Sequence, residues 1–179
     1  MVRIFVIVIG SFNLPCYYEF IRMRKLQLNK YKIPHMFVFD SPVPDDYVPD
    51  STDVFFEKVS KPYPVENPKN MAPSAMSPHM TVKFLKSLQN IDESQYDYII
   101  RCNLSTYTYF PRLVEYLGTI SIRPYVGGPI MKFQIPDWAI NPHDQTEFIS
   151  GTCMVFSSDV IKFMKALPTN SYIVYEHLK

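Results

Sequence analysis

The chain has 179 residues, of which 47% are hydrophobic, 15% aromatic and 20% charged, a composition of ordered proteins with a single core and not of disordered chains. Its 18 basic and 17 acidic residues leave a net charge of +1, and no basic stripe marks nucleic-acid binding by phosphate neutralisation. Cys16, Cys102 and Cys153 lie far apart without CxxC or Cys/His spacing, so they read as reduced thiols of a soluble, cytoplasmic protein and not as a zinc site or disulfide framework.

In chain order, residues 3–9 form a β-branched apolar run that stops at Gly10, the pattern of a strand buried on both faces of a parallel sheet. That run is too short for a membrane span or a signal peptide. Pro15 can open a helix, and Tyr18, Ile21, Met23 and Leu26, interleaved with Arg22, Arg24 and Lys25, give a helical stripe to about residue 31. Residues 35–39, ending in Asp40-Ser41-Pro42, then close a right-handed βαβ unit. Residues 41–78 are rich in Pro, Asp and Ser, with one apolar alternation at 54–59 as a third strand.

Met80, Val82, Phe84, Leu85, Leu88 and Ile91 predict a helix over 79–91. A strand at 96–100 follows, then a polar turn, then a helix over 111–117. Short strands are expected at 125–128 and 131–135, and 148–156 reads as a loop entering a strand. Ser157-Ser158-Asp159 supplies N-cap chemistry for a last helix that Pro168 ends. Alternating strands and helices predict an α/β single domain over 1–179, with helices on both faces of a mostly parallel sheet.

In an open α/β sheet the carboxyl ends of the strands are where ligands bind, so the polar turn Arg101-Cys102-Asn103-Leu104-Ser105 is the first candidate site. Asn and Ser also bond their own backbone in turns, which is the alternative reading of that segment. Gly10-Ser11 belongs to no GxGxxG or Walker loop, yet its place after the first strand suits contact with a nucleotide base or ribose. Asp40 either caps a turn or reaches a ribose hydroxyl. Trp138 either anchors its loop or stacks on a sugar. His35 and His143 are isolated and read as structural.

Two segments, 81–117 and 148–160, together resemble the nucleotide-sugar glycosyltransferases of the GT-A fold, particularly the β-1,3-galactosyltransferase and Fringe-like group. The second, with Ser150-Gly151-Thr152 before Ser157-Ser158-Asp159-Val160, is similar to that group's Ser-Gly segment and following helix. The resemblance implies a Rossmann-like GT-A domain that moves a hexose from a nucleoside diphosphate sugar, UDP-linked, to a glycan or glycoconjugate hydroxyl with inversion. It places Gly10, Ser11, Asp40, Arg101, Asn103 and Ser105 on the donor and Trp138, Ser150, Gly151 and Thr152 on the acceptor.

The family's Asp-x-Asp triplet, which holds Mn²⁺ or Mg²⁺ against the diphosphate, falls here on Asn103-Leu104-Ser105, which brings no negative charge to a divalent ion. Arg101 either offsets diphosphate charge instead, which implies a weakly metal-dependent or metal-independent variant, or is a surface ion-pair partner. The family's acidic general-base segment has no counterpart, so Glu176 and His177 are its remaining stand-ins, unless the chain is a fragment of a longer one. Those departures keep open a non-catalytic nucleotide-sugar or glycan binding module; another nucleotide-dependent α/β enzyme, such as a nucleotidyltransferase, needs acidic metal ligands that the sequence lacks.

Overall fold

A computed structural model of the chain describes residues 2–57, 78–120, 125–134, 145–149 and 152–166. The described elements run β1 (Ile4–Ile9), α1 (Cys16–Lys30), β2 (His35–Ser41), β3 (Asp53–Glu57), α2 (Pro78–Leu88), β4 (Tyr98–Asn103), α3 (Phe110–Thr119), β5 (Val126–Gly127), β6 (Ile130–Gln134), β7 (Gln145–Ile149), β8 (Cys153–Ser157) and α4 (Ser158–Lys165). Every helix and strand expected within those residues is present, with ends displaced by a few positions. Phe148 and Ile149 end β7 while residues 153–156 belong to β8, in a different sheet.

The main sheet has the order β3-β2-β1-β4-β8-β5. β1 pairs in parallel with both β2 and β4, and β2 with β3. β8 runs antiparallel to β4 and to β5, so the α/β class holds but the sheet is mixed, its far side turned by β8. β6 and β7 form a separate antiparallel ribbon.

Side-chain alternation along the strands divides the core into two layers. Val6, Val8, Phe37, Phe39, Ile100 and Cys102 face Ile21 and Leu28 of α1 and Phe110 and Leu117 of α3. Ile7, Ile9, Met36, Val38 and Ile99 face Phe84, Leu85 and Leu88 of α2 and Ile161 of α4. Helices therefore cover both faces. Phe37, Phe39, Phe110, Leu28 and Leu88 are fully buried, and each such side chain contributes about 1.5–3 kcal/mol relative to its exposure.

Two local expectations change in detail. α1 buries Ile21, Arg24 and Leu28, while Met23 and Leu26 are exposed. Arg24 holds the inward position because its guanidinium lies over the Phe110 ring, 5.8 Å from the centroid, and Nη1 donates to Gln27 Oε1 at 2.8 Å. Ser157 sits at the N-cap of α4 without capping it by side chain. Its hydroxyl instead donates to Asp159 and accepts from Tyr125 N–H at 2.9 Å, tying β5 to the start of the helix.

Candidate functional site at the carboxyl edge

The connection leaving β1 leads to β2 on one side, while β4 lies on β1's other side. The carboxyl ends of β1 and β4 thus flank a topological switch point, the place where open α/β sheets bind ligands. Register puts Ile9 beside both Val38 and Asn103, so Gly10, Asp40 and Asn103 come to one edge of the sheet. Asp40, Arg101 and Asn103 continue the alternation that places Val38 and Ile99 on the α2/α4 face.

Over β1 and β2 the opposite, α1/α3 face of this edge is filled by aromatic rings. Phe12 stacks on Phe39 at 4.7 Å between centroids and meets Tyr47 at the same distance, and Phe39 stacks on Phe55 at 5.7 Å. Gly10 is explained by this packing, because a Cβ there would sit 2.6 Å from Phe39 Cε1. Ser11 donates to Asn13 Oδ1 at 2.5 Å, within its own turn.

Lys83, on the buried face of α2, was missed by reasoning from sequence. It is only 7% exposed, and its ammonium reaches Asp40 Oδ2 at 3.1 Å and the Gly10 carbonyl at 3.4 Å. The available signal was a lone cation inside the apolar run Val82–Leu85, where a solvated lysine does not belong. Asp40 is therefore engaged by an ion pair through Oδ2.

Arg101 and Asn103 differ from these residues. Arg101 is 7% exposed, lies between Ile7 and Met154 across the strands, and donates no hydrogen bond among the described residues. Burial pulls its guanidinium below the usual arginine range, with the neighbouring Cys102 and Cys153 opposing. Asn103 Oδ1 is buried without a donor, while its backbone N–H donates to the Thr152 carbonyl at 2.8 Å. Thr106 Oγ1 donates to the same carbonyl at 3.0 Å, so Thr152 is joined to the turn after β4.

Ser105 does not share this environment. It is exposed and lines a groove of about 440 Å³ on the α1 side, with Phe20, Met23, Gln27 and Tyr107. The groove's opposite wall is held by Gln27 Nε2, which donates to the Thr108 carbonyl at 2.8 Å. Asn103 and Ser105, the positions aligned with an Asp-x-Asp triplet, thus lie in different surroundings, Asn103 Oδ1 buried and Ser105 exposed. Trp138, Ser150, Gly151, Glu176 and His177 lie outside the described residues, as does His143.

A largely buried guanidinium without an acceptor among the described residues and a buried amide oxygen without a donor are each costly unless another group completes them. Their complement is an anion that also carries hydroxyl or N–H donors. A divalent cation fits poorly, because the side chains at 103 and 105 are neutral. Among the described residues no group of three or more His, Cys, Asp or Glu could hold a metal ion, and no helix is long and apolar enough to cross a membrane. Compared with known proteins, the chain matches no family model and no curated protein.

Proposed function

We propose that the carboxyl edge of β1 and β4 binds a nucleoside diphosphate sugar, UDP-linked, and that the protein transfers its hexose to a glycan or glycoconjugate hydroxyl. The observation that carries this reading is the Arg101 guanidinium, largely withdrawn from solvent at a strand end and without a hydrogen-bond acceptor among the described residues. Guanidinium pairs with phosphate through two parallel N–H···O bonds, and ribose or hexose hydroxyls supply the donors that Asn103 Oδ1 lacks. The GT-A resemblance supplies the reaction class.

In this reading the acceptor hydroxyl attacks the anomeric carbon from the face opposite the diphosphate. The carbon–oxygen bond to the leaving phosphate breaks, and the electron pair departs with the diphosphate. Arg101 stabilises the charge that develops there, and electrostatic help of this kind is worth most in a water-poor site. Lys83 adds a second cation from α2, exchanging its contact with Asp40 for phosphate. No step passes through a metal. Glu176 and His177 remain the candidate bases for the acceptor proton.

A non-catalytic binding module is the second reading. It is favoured by the engagement of Asp40 with Lys83, which keeps this edge carboxylate from serving as a general base. Calorimetric titration of UDP, GDP and their sugar conjugates, each with Mn²⁺ and with a chelator, tests both. Micromolar binding that survives the chelator supports this site, and binding by none of them removes the transferase and the nucleotide-sugar module alike. Release of free nucleotide from the bound donor in the presence of glycan acceptors then separates transferase from binding module.

A further inference from the structure

Cys102 and Cys153, remote in sequence, are direct partners across the antiparallel strands β4 and β8. The next pair along the ladder, Asn103 and Thr152, is hydrogen-bonded, the Asn103 N–H reaching the Thr152 carbonyl at 2.8 Å. Hydrogen-bonded and open pairs alternate in such ladders, so Cys102 and Cys153 occupy an open pair, where Cα atoms approach to about 4.5 Å and side chains come closest. That separation lies within the window of about 4.4–6.8 Å that a disulfide spans. Both side chains face the α1/α3 layer, Cys102 in its core and Cys153 packed against it, and both are free thiols.

We infer that Cys102 and Cys153 form a dithiol which a low-molecular-weight disulfide, such as oxidised glutathione, converts to an intramolecular disulfide pinning β8 to β4. Cys153, half-buried, reacts first; Cys102 is fully buried and resolves. The Cys153 thiolate attacks one sulfur of the small disulfide, forming a mixed disulfide and expelling one small thiolate. The Cys102 thiolate then attacks the Cys153 sulfur, forming the new S–S bond and expelling the second. The protein loses two electrons and two protons, and the small disulfide leaves as two thiols.

Burial pushes the Cys102 thiol up to about 12, with Arg24 and Arg101 opposing, and pushes Cys153 up as well, with Thr108 opposing. The exchange is therefore slow, on the scale of minutes to hours. The bond would lie beside Arg101 and Asn103, the two residues that flank Cys102 in β4.

The test uses the Cys16→Ser protein, which removes the exposed third thiol, incubated natively with oxidised glutathione. The expected product is a monomer lighter by two hydrogens, with a Cys102–Cys153 peptide in a non-reducing map. Its melting temperature rises by roughly 5–10 °C and returns on reduction. Adding Cys102→Ser should leave a lasting glutathione adduct on Cys153, whereas the protein that keeps Cys102 should show none, because Cys102 resolves it. The inference is overturned if both thiols stay alkylatable after incubation while the denatured protein oxidises, or if the mapped bond joins two molecules. Neither result bears on nucleotide binding.

Discussion

Lys25 and Arg101 are both cations drawn away from water on the two faces of one sheet, yet one is saturated by the protein and the other is not. The Lys25 ammonium contacts Asp50 Oδ2 at 2.7 Å and Asp53 Oδ2 at 2.8 Å, and lies over the Phe37 ring at 5.3 Å. Asp53 Oδ1 is also 2.7 Å from it, an ion-pair contact without hydrogen-bond geometry, and the Tyr47 hydroxyl donates to Asp53 Oδ2 at 2.8 Å. Burial and that carboxylate together hold the Tyr47 hydroxyl well above the usual tyrosine range. Nothing comparable surrounds Arg101 among the described residues. Saturation identifies a structural clamp that fastens β3 and its loop to α1; the want of a partner among the described residues is what the proposed donor would fill.

The largest effect should come from breaking the clamp. Asp53→Asn leaves the Lys25 ammonium short of a fully buried partner and should cost about 3 kcal/mol in chemical unfolding, with nucleotide affinity unchanged. Arg101→Gln should do the reverse. It should weaken donor binding by about 2 kcal/mol, roughly 30-fold in Kd by calorimetry, while the ligand-free melting temperature holds or rises. A drop in ligand-free stability as large as that of Asp53→Asn would make Arg101 structural and end the comparison.

Asn103→Ala should lower donor affinity by about 1 kcal/mol, roughly fivefold, because it removes one hydrogen-bond acceptor. Ser105→Ala should leave Kd within roughly twofold, since its exposed hydroxyl exchanges partners with water. Equal losses from both would restore the pair that the structure separates.

The smallest effect concerns acid. Burial raises the Asp50 carboxyl, but hydrogen bonds from Lys25 and Thr52 outweigh it and hold the group at about 2, below its ordinary 3.8. A carboxylate depressed in the folded state stabilises it above the unfolded value, and that contribution is lost as pH falls through the folded one. The difference in unfolding midpoint between the native protein and Asp50→Asn should therefore persist above pH 3.8 and close as pH falls towards about 2. The side chain is half exposed, so solvent screening keeps this difference modest.

Much of the fold was legible because it depends on local period. The unbroken apolar run at 4–9 dictates a two-faced strand, and Val82, Phe84, Leu85 and Leu88 dictate a helix that buries one side. α1 was less legible, since Met23 and Leu26 look like core residues by hydrophobicity while the inward position belongs to Arg24. Only the Phe110 ring, remote in sequence, explains that exchange.

For the candidate site, the sequence by itself determined which strand end is polar and that Arg101 and Asn103 follow one another at alternating positions on one face. Tertiary structure alone decided that Arg101 lacks an acceptor among the described residues, that Lys83 meets Asp40, that Ser105 lines a groove on the α1 side and that Cys102 faces Cys153. Periodicity reports which side of an element a residue occupies and is carried by neighbours along the chain. Pairing, register and saturation depend on what another element brings to the same point, and the antiparallel turn of β8 against β4 is written in no local pattern.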